Sequence, residues 1–121
     1  MATRHSDQEH PSTLLDIISV LDREGPMGVT EVADTLGIAK STAHYHLSTL
    51  RQNGFVTKDG TQYGLGLSFL KMGLQTRRRE PLFDAAKEEI DKLADETGEL
   101  AILSVEQRGL GVYLYKRGGS D

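Results

Sequence analysis

Two glycines, Gly37 and Gly54, bracket the segment that most restricts how this chain can fold. Between them runs Ile38-Ala39-Lys40-Ser41-Thr42-Ala43-His44-Tyr45-His46-Leu47-Ser48-Thr49-Leu50-Arg51-Gln52-Asn53. Glycine takes the left-handed conformation that closes a helix without a steric cost. The spacing predicts a helix over 40–53, ended by Gly54. Upstream, Thr30 to Leu36 predicts a shorter helix with Val32, Ala33 and Leu36 as its buried stripe, ended by Gly37. Helix, tight turn and helix make the helix-turn-helix pattern. Downstream, Phe55-Val56-Thr57-Lys58 and Thr61-Gln62-Tyr63-Gly64-Leu65 flank Asp59-Gly60. Asp-Gly between β-prone runs is a hairpin signal. A hairpin directly after the second helix of such a pair is a wing.

The helix over 40–53 has an unusual surface. Placing Ala43 at the centre of the buried side and stepping about 100° per residue brings Leu47 and Leu50 within about 40° of it. The opposite side carries Ser41, Tyr45, Ser48 and Gln52. Thr42 and Thr49 fall on one flank, His44 and Arg51 on the other, and His46 leans inward. Serine and threonine are poor helix formers, so a face meant only for water would more often use Glu, Lys or Arg. Hydroxyls, a phenol, an amide and an imidazole suit hydrogen bonds to base edges. The N-terminal part of such a helix enters the major groove, which makes Ser41, Thr42, His44 and Tyr45 the expected base readers. Ser48, Thr49, Arg51 and Gln52 are expected nearer the phosphates. Lys40, at the helix start, and Lys58, in the wing, can neutralise phosphate.

Charge is distributed to match. The chain of 121 residues has a net charge of −4. Residues 28–79 nevertheless hold seven Lys/Arg against three Asp/Glu, a net of +4, while residues 80–121 hold five against ten. The basic part is the part with the helix-turn-helix pattern.

Around this head the chain predicts further elements. Residues 1–10 read as a disordered tail. Pro11 and Ser12 open a helix with Leu14, Leu15, Ile17, Ile18 and Leu21 on one face, ended at Gly25-Pro26. Leu67 to about Arg79 reads as a linker helix with apolar residues on two sides: Leu67, Leu70 and Leu74 on one, Phe69 and Met72 on another. One side can pack on the winged domain. The other asks for a partner, for which a second copy is the natural candidate. Pro81 opens a further helix whose inward face is Leu82, Ala86, Ile90, Leu93 and Ala94, closed by Gly98. Two strands, 100–105 and 111–116, flank Gln107-Arg108-Gly109. One helix and two strands cannot cover both faces of a sheet, so this unit reads as incomplete. The expected class is therefore mainly α with a small β wing. Its divisions are a tail (1–10), a winged helix-turn-helix domain (11–66), a linker helix (67–80) and an incomplete α/β unit (81–121).

Other chemistries find little purchase. There is no cysteine, which excludes a disulfide framework and a thiolate metal site. His44 and His46 lie two apart on a helix and diverge by about 160°. Neither Gly64-x-Gly66 nor Gly109-x-Gly111 forms a dinucleotide fingerprint, and no nucleophile elbow exists. No enzyme, metal or cofactor is expected. Asp84, Glu88, Asp91 and Asp95 read as one solvated helix face. Arg77-Arg78-Arg79 either touches phosphate or complements the end of the linker helix, with the second reading favoured. Tyr63 reads as a wing residue packed on the domain. The N-terminus has no apolar run like a signal peptide, and no stretch has the length of a membrane span, so a cytoplasmic location is expected.

Leu36-Gly37-Ile38-Ala39-Lys40-Ser41-Thr42-Ala43-His44, the wing ending Tyr63-Gly64-Leu65-Gly66, and the later Leu93-Ala94-Asp95-Glu96-Thr97-Gly98-Glu99 together resemble the IclR family of transcription regulators over about residues 12–117. The resemblance implies a dimer on a palindromic operator. It also implies that residues 81–121 are the start of an effector-binding domain. Tyr45 and His46 depart from the pattern, since the family often has Arg and Leu at these places. The family's metabolite switch is not carried over, because most of the domain that would hold an effector lies outside this sequence. The alternative reading is a winged-helix module that docks on proteins and reads no DNA directly.

Overall fold

The computed structural model of the chain describes residues 12–118, so the tail expected over 1–10 and Pro11 lie outside the described residues. Two compact units divide between Lys71 and Met72.

The first unit begins with three helices: α1 (Thr13–Glu24), α2 (Val29–Leu36) and α3 (Lys40–Gln52). Each ends where glycine changes the backbone sign. Gly25 caps α1 at φ 83° and Gly37 caps α2 at φ 67°, while Gly54 follows α3 at φ 80°. At the start of α2 the Glu31 carboxylate accepts from the Gly28 N–H at 3.0 Å, satisfying one of the donors a helix start leaves open. Ile17, Val20, Val32, Ala43 and Leu47 have no exposed surface and form the centre of the core. The face expected for α1 is thus partly corrected: Leu15 is 62% exposed, and Val20 takes the inward place. Val20 and Leu21 follow Ile17 by three and four residues, so the buried stripe turns away from Leu15.

A hairpin follows, with β1 (Val56–Asp59) antiparallel to β2 (Gln62–Leu65). Asp59 pairs with Gln62, so the two loop residues are Gly60 and Thr61, one place later than the Asp-Gly turn expected. Positive φ falls on Gly60 alone of the two, at 64°, as a primed turn with glycine first requires. Met27 adds a bridge to the outer side of β2. Its N–H donates to the Tyr63 carbonyl at 2.9 Å, and the Tyr63 N–H donates to the Met27 carbonyl at 2.7 Å. Beyond the wing, Gly66 lies against the turn after α3. Its N–H donates to the Phe55 carbonyl at 2.7 Å, and a Cβ there would sit 2.5 Å from the Gly54 carbonyl oxygen. Only a residue without a side chain lets the two backbones approach this closely.

Helix α4 (Ser68–Arg78) starts in the first unit and runs into the second. It has no buried residue. Phe69 stacks edge-on to Phe55 with ring centres 5.0 Å apart. Leu67 (79%), Leu70 (56%), Met72 (53%) and Leu74 (40%) remain exposed.

In the second unit α5 (Phe83–Thr97) packs on a two-stranded antiparallel sheet of β3 (Ala101–Gln107) and β4 (Leu110–Arg117). Arg108 and Gly109 form a two-residue loop with φ 52° and 80°, the signature of a type I′ turn. Gly98 closes α5 in the left-handed region as expected. The inward face of α5 differs from the expected one. Phe83 and Ala94 are buried, whereas Leu82 and Leu93 are largely exposed. Arg77 explains Phe83. Its guanidinium lies 4.5 Å from the centre of the Phe83 ring and donates to the Leu114 carbonyl at 3.3 Å. Of the arginine run, Arg77 is therefore a structural residue, while Arg78 and Arg79 face solvent.

Asp91 corrects the reading of a purely solvated acidic face. It accepts from the Tyr115 hydroxyl at 2.6 Å and pairs with Lys87 and Arg117, each at 3.0 Å; Arg117 also reaches Asp95 at 3.1 Å. The hydrogen bond from Tyr115, then that from Lys87, lowers the Asp91 carboxyl from an ordinary 3.8 to about 2. A carboxyl depressed in the folded state stabilises the fold above its unfolded value, and the contribution is lost as pH falls toward the folded value. Thermal melts should therefore show the second unit weakening between about pH 4 and pH 2. Asp91→Asn should weaken it at neutral pH and flatten that acid slope. An unchanged slope in the variant would assign the acid sensitivity to other groups.

Candidate nucleic-acid interface

Helix α3 is held by an arc of four buried residues, Thr42, Ala43, Leu47 and Leu50. The arc is centred nearer Leu50 than Ala43, with α2 packed against α3. This places Thr42, only 7% exposed, inside the fold. Of the four expected base readers, Thr42 alone lies off the exposed face. A step of about 100° from Ala43 looks like a flank on an isolated helix, but it falls within the packed arc once the neighbouring elements are in place. His46, in the same arc, is half-buried.

The remaining expected residues lie on the outer side. Lys40, Ser41, His44, Tyr45, Thr49, Arg51 and Gln52 are exposed, and Ser48 is half-buried. Among the described residues none of these side chains is committed to an ion pair. Tyr45 is 66% exposed and meets the His46 ring edge-on, with centres 5.3 Å apart. At the C-terminal end, the Asn53 side-chain amide donates to the Thr49 carbonyl at 2.8 Å, occupying one of the acceptors the helix end leaves open.

The wing completes the surface. A concavity of about 300 Å³ runs between α3 and the hairpin, lined by His44, Ser48, Arg51, Gln52, Lys58 and Tyr63. Five of the ten expected site residues meet here; Lys40, Ser41, Tyr45 and Thr49 lie outside it, and Thr42 is buried. Lys58 stands opposite Tyr63 across the hairpin, with its ammonium 5.3 Å from the ring centre. Tyr63 is buried as expected, at 4%, but its ring also forms the seat under Lys58. That role was hidden by the turn position: a loop at Asp59-Gly60 sets Lys58 opposite Thr61, and the true loop sets it opposite Tyr63. A cation over an aromatic face is attracted by the ring quadrupole, which favours one position for this long side chain. Two cations, an amide, a hydroxyl and an imidazole then line one groove. That set offers donors to phosphate oxygens on one wall and to base edges along the exposed helix.

Comparison with known proteins bears on the same segment. Residues 14–60 match the IclR helix-turn-helix domain. The probable HTH-type transcriptional regulator ArcR of Halobacterium salinarum is 32% identical over 99% of this chain. The chain carries an IclR helix-turn-helix domain. A glycerol operon regulatory protein of Streptomyces coelicolor is 34% identical over 87% of it. The crystal structure of the Thermotoga maritima IclR superposes with a TM-score of 0.77 at 24% identity, covering 91% of this chain and 45% of that one, and shows the shared fold. The chain spans 47% and 41% of the lengths of the Halobacterium and Streptomyces relatives. The family consists of transcription regulators and not enzymes. Among the described residues no helix is long and apolar enough to cross a membrane, and no cluster of His, Asp or Glu could hold a metal ion.

Proposed function

We propose that this chain is a sequence-specific DNA-binding transcription regulator that places α3 in the major groove and Lys58 of the wing on the backbone. The observation that carries this reading is the outer face of α3. It exposes Ser41, His44, Tyr45, Arg51 and Gln52 with no ion-pair partner among the described residues, beside a groove walled by the wing. The match of residues 14–60 to the IclR helix-turn-helix domain supports it.

We further propose a homodimer that joins through α4 and reads a palindromic operator. Leu70, Met72 and Leu74, with Leu67 just before the helix, give α4 more exposed apolar surface than a solitary helix needs. Two copies related by a two-fold axis would present two copies of α3 to two half-sites.

The test is duplex binding across a salt series. Wild-type protein should enrich one sequence from a random duplex pool, and the logarithm of its affinity should fall linearly with the logarithm of salt. Replacing Ser41, His44 and Tyr45 with alanine should lower specific binding by about 100-fold or more, since each good base contact is worth about 1–3 kcal/mol. No enrichment, or binding indifferent to salt, overturns the reading. Protein partners captured equally well by the triple variant would favour the docking module instead.

A further inference from the structure

Tyr45 has no structural task that its fold position requires. It lies in the middle of α3, points outward and is 66% exposed, on a face otherwise made of short polar and long charged side chains. Its hydroxyl has no hydrogen-bond partner among the described residues. The half-buried His46 ring meets its ring edge-on, with centres 5.3 Å and planes 68° apart. An edge-to-face pair of this kind favours one mutual arrangement of the two rings. Tyrosine thus presents an apolar edge, where a flexible side chain would present only a head group.

The major groove contains one apolar group, the C5-methyl of thymine. An aromatic edge fits that group and gains little against cytosine or guanine. We infer that Tyr45 is a specificity-determining residue that recognises a thymine methyl in each half-site, and that His46 is the positioning residue that sets its ring. This rests on the DNA-reading function proposed above and adds which base is read and through which atoms.

The experiment uses the duplex that wild-type protein enriches from a random pool. Each thymine is replaced in turn by uracil, which removes the methyl and keeps every hydrogen-bonding group. One thymine per half-site should show a loss of about fourfold in affinity, the worth of one buried methyl-sized group. Tyr45→Phe should keep that ratio. Tyr45→Ala should bind more weakly and respond to uracil at that position no more than at any other. His46→Phe should preserve the uracil ratio and His46→Ala should shrink it, a readout that a loss of helix stability alone would not move. Tolerance of uracil at every position by wild-type protein overturns the thymine assignment. An unaltered ratio in Tyr45→Ala assigns the methyl contact to another residue, and an unaltered ratio in His46→Ala removes the positioning role. Failure of wild-type protein to enrich any sequence overturns the DNA-reading function itself, and this inference with it.

Discussion

Alanine at Leu47 is expected to cost the winged unit about 2–5 kcal/mol, the range for removing a fully buried leucine when the surroundings close only partly over the gap. Leu47 has no exposed surface and sits at the centre of the core with Ile17, Val20, Val32 and Ala43. Domains of this size are stable by only about 5–15 kcal/mol, so the loss is a large fraction of the whole. The effect should extend to function, because Leu47 lies on α3, directly behind the outward face. Chemical denaturation followed by helical circular dichroism measures the change. A loss below about 1 kcal/mol would mean that the site collapses freely and that α3 is held mainly by its turns. Leu15→Ala is the matched control. Leu15 is also a leucine on a helix of this unit but is 62% exposed, and its replacement should leave stability nearly unchanged.

Removing both cations of the groove should change a different quantity. Arg51→Ala with Lys58→Ala is expected to reduce the slope of log affinity against log salt by about 1.8, at about 0.9 for each phosphate no longer neutralised. Affinity should fall for every duplex sequence, with the enriched sequence unchanged. Neither residue is buried, and neither forms an ion pair in the described fold, so stability should hold. Competition between specific and random duplexes at several salt concentrations separates the two outcomes. A shift in the preferred sequence would show that Arg51 reads a base. An unchanged slope would place the phosphates away from the groove.

Much of the winged unit was legible because its punctuation is local. Gly37 and Gly54 mark helix ends by backbone conformation alone, and the Asp-Gly region marks a hairpin even though the loop itself falls one residue later. The other misreadings were non-local. Thr42 reads as a flank until the neighbouring elements pack against α3. The choice between Leu15 and Val20 depends on where α1 meets the other helices. Phe83 lies between Leu82 and Ala86, off the expected stripe of α5, and gains its burial with Arg77 above its ring. The Asp91 network joins a helix to a strand more than twenty residues away, and helical spacing can show only that Lys87 is near. The outward face of α3 was legible apart from Thr42, since exposure on a helix follows from what the neighbours bury. The seat of Lys58 on Tyr63 was not, because cross-strand partners shift with a single residue of loop.

The reciprocal pair of hydrogen bonds between Met27 and Tyr63 has a mechanical consequence. Met27 lies just before α2, and Tyr63 lies in β2, so the entrance to the helix pair and the return strand of the wing are tied at one point. The wing is thereby tied through its backbone to the helix pair that carries α3, like a caliper jaw to its frame. On the DNA-reading function, such a gauge responds to the width of a groove as well as to the letters inside it. Duplexes whose sequence makes them narrow or stiff at that interval would be rejected without any contact to the bases concerned.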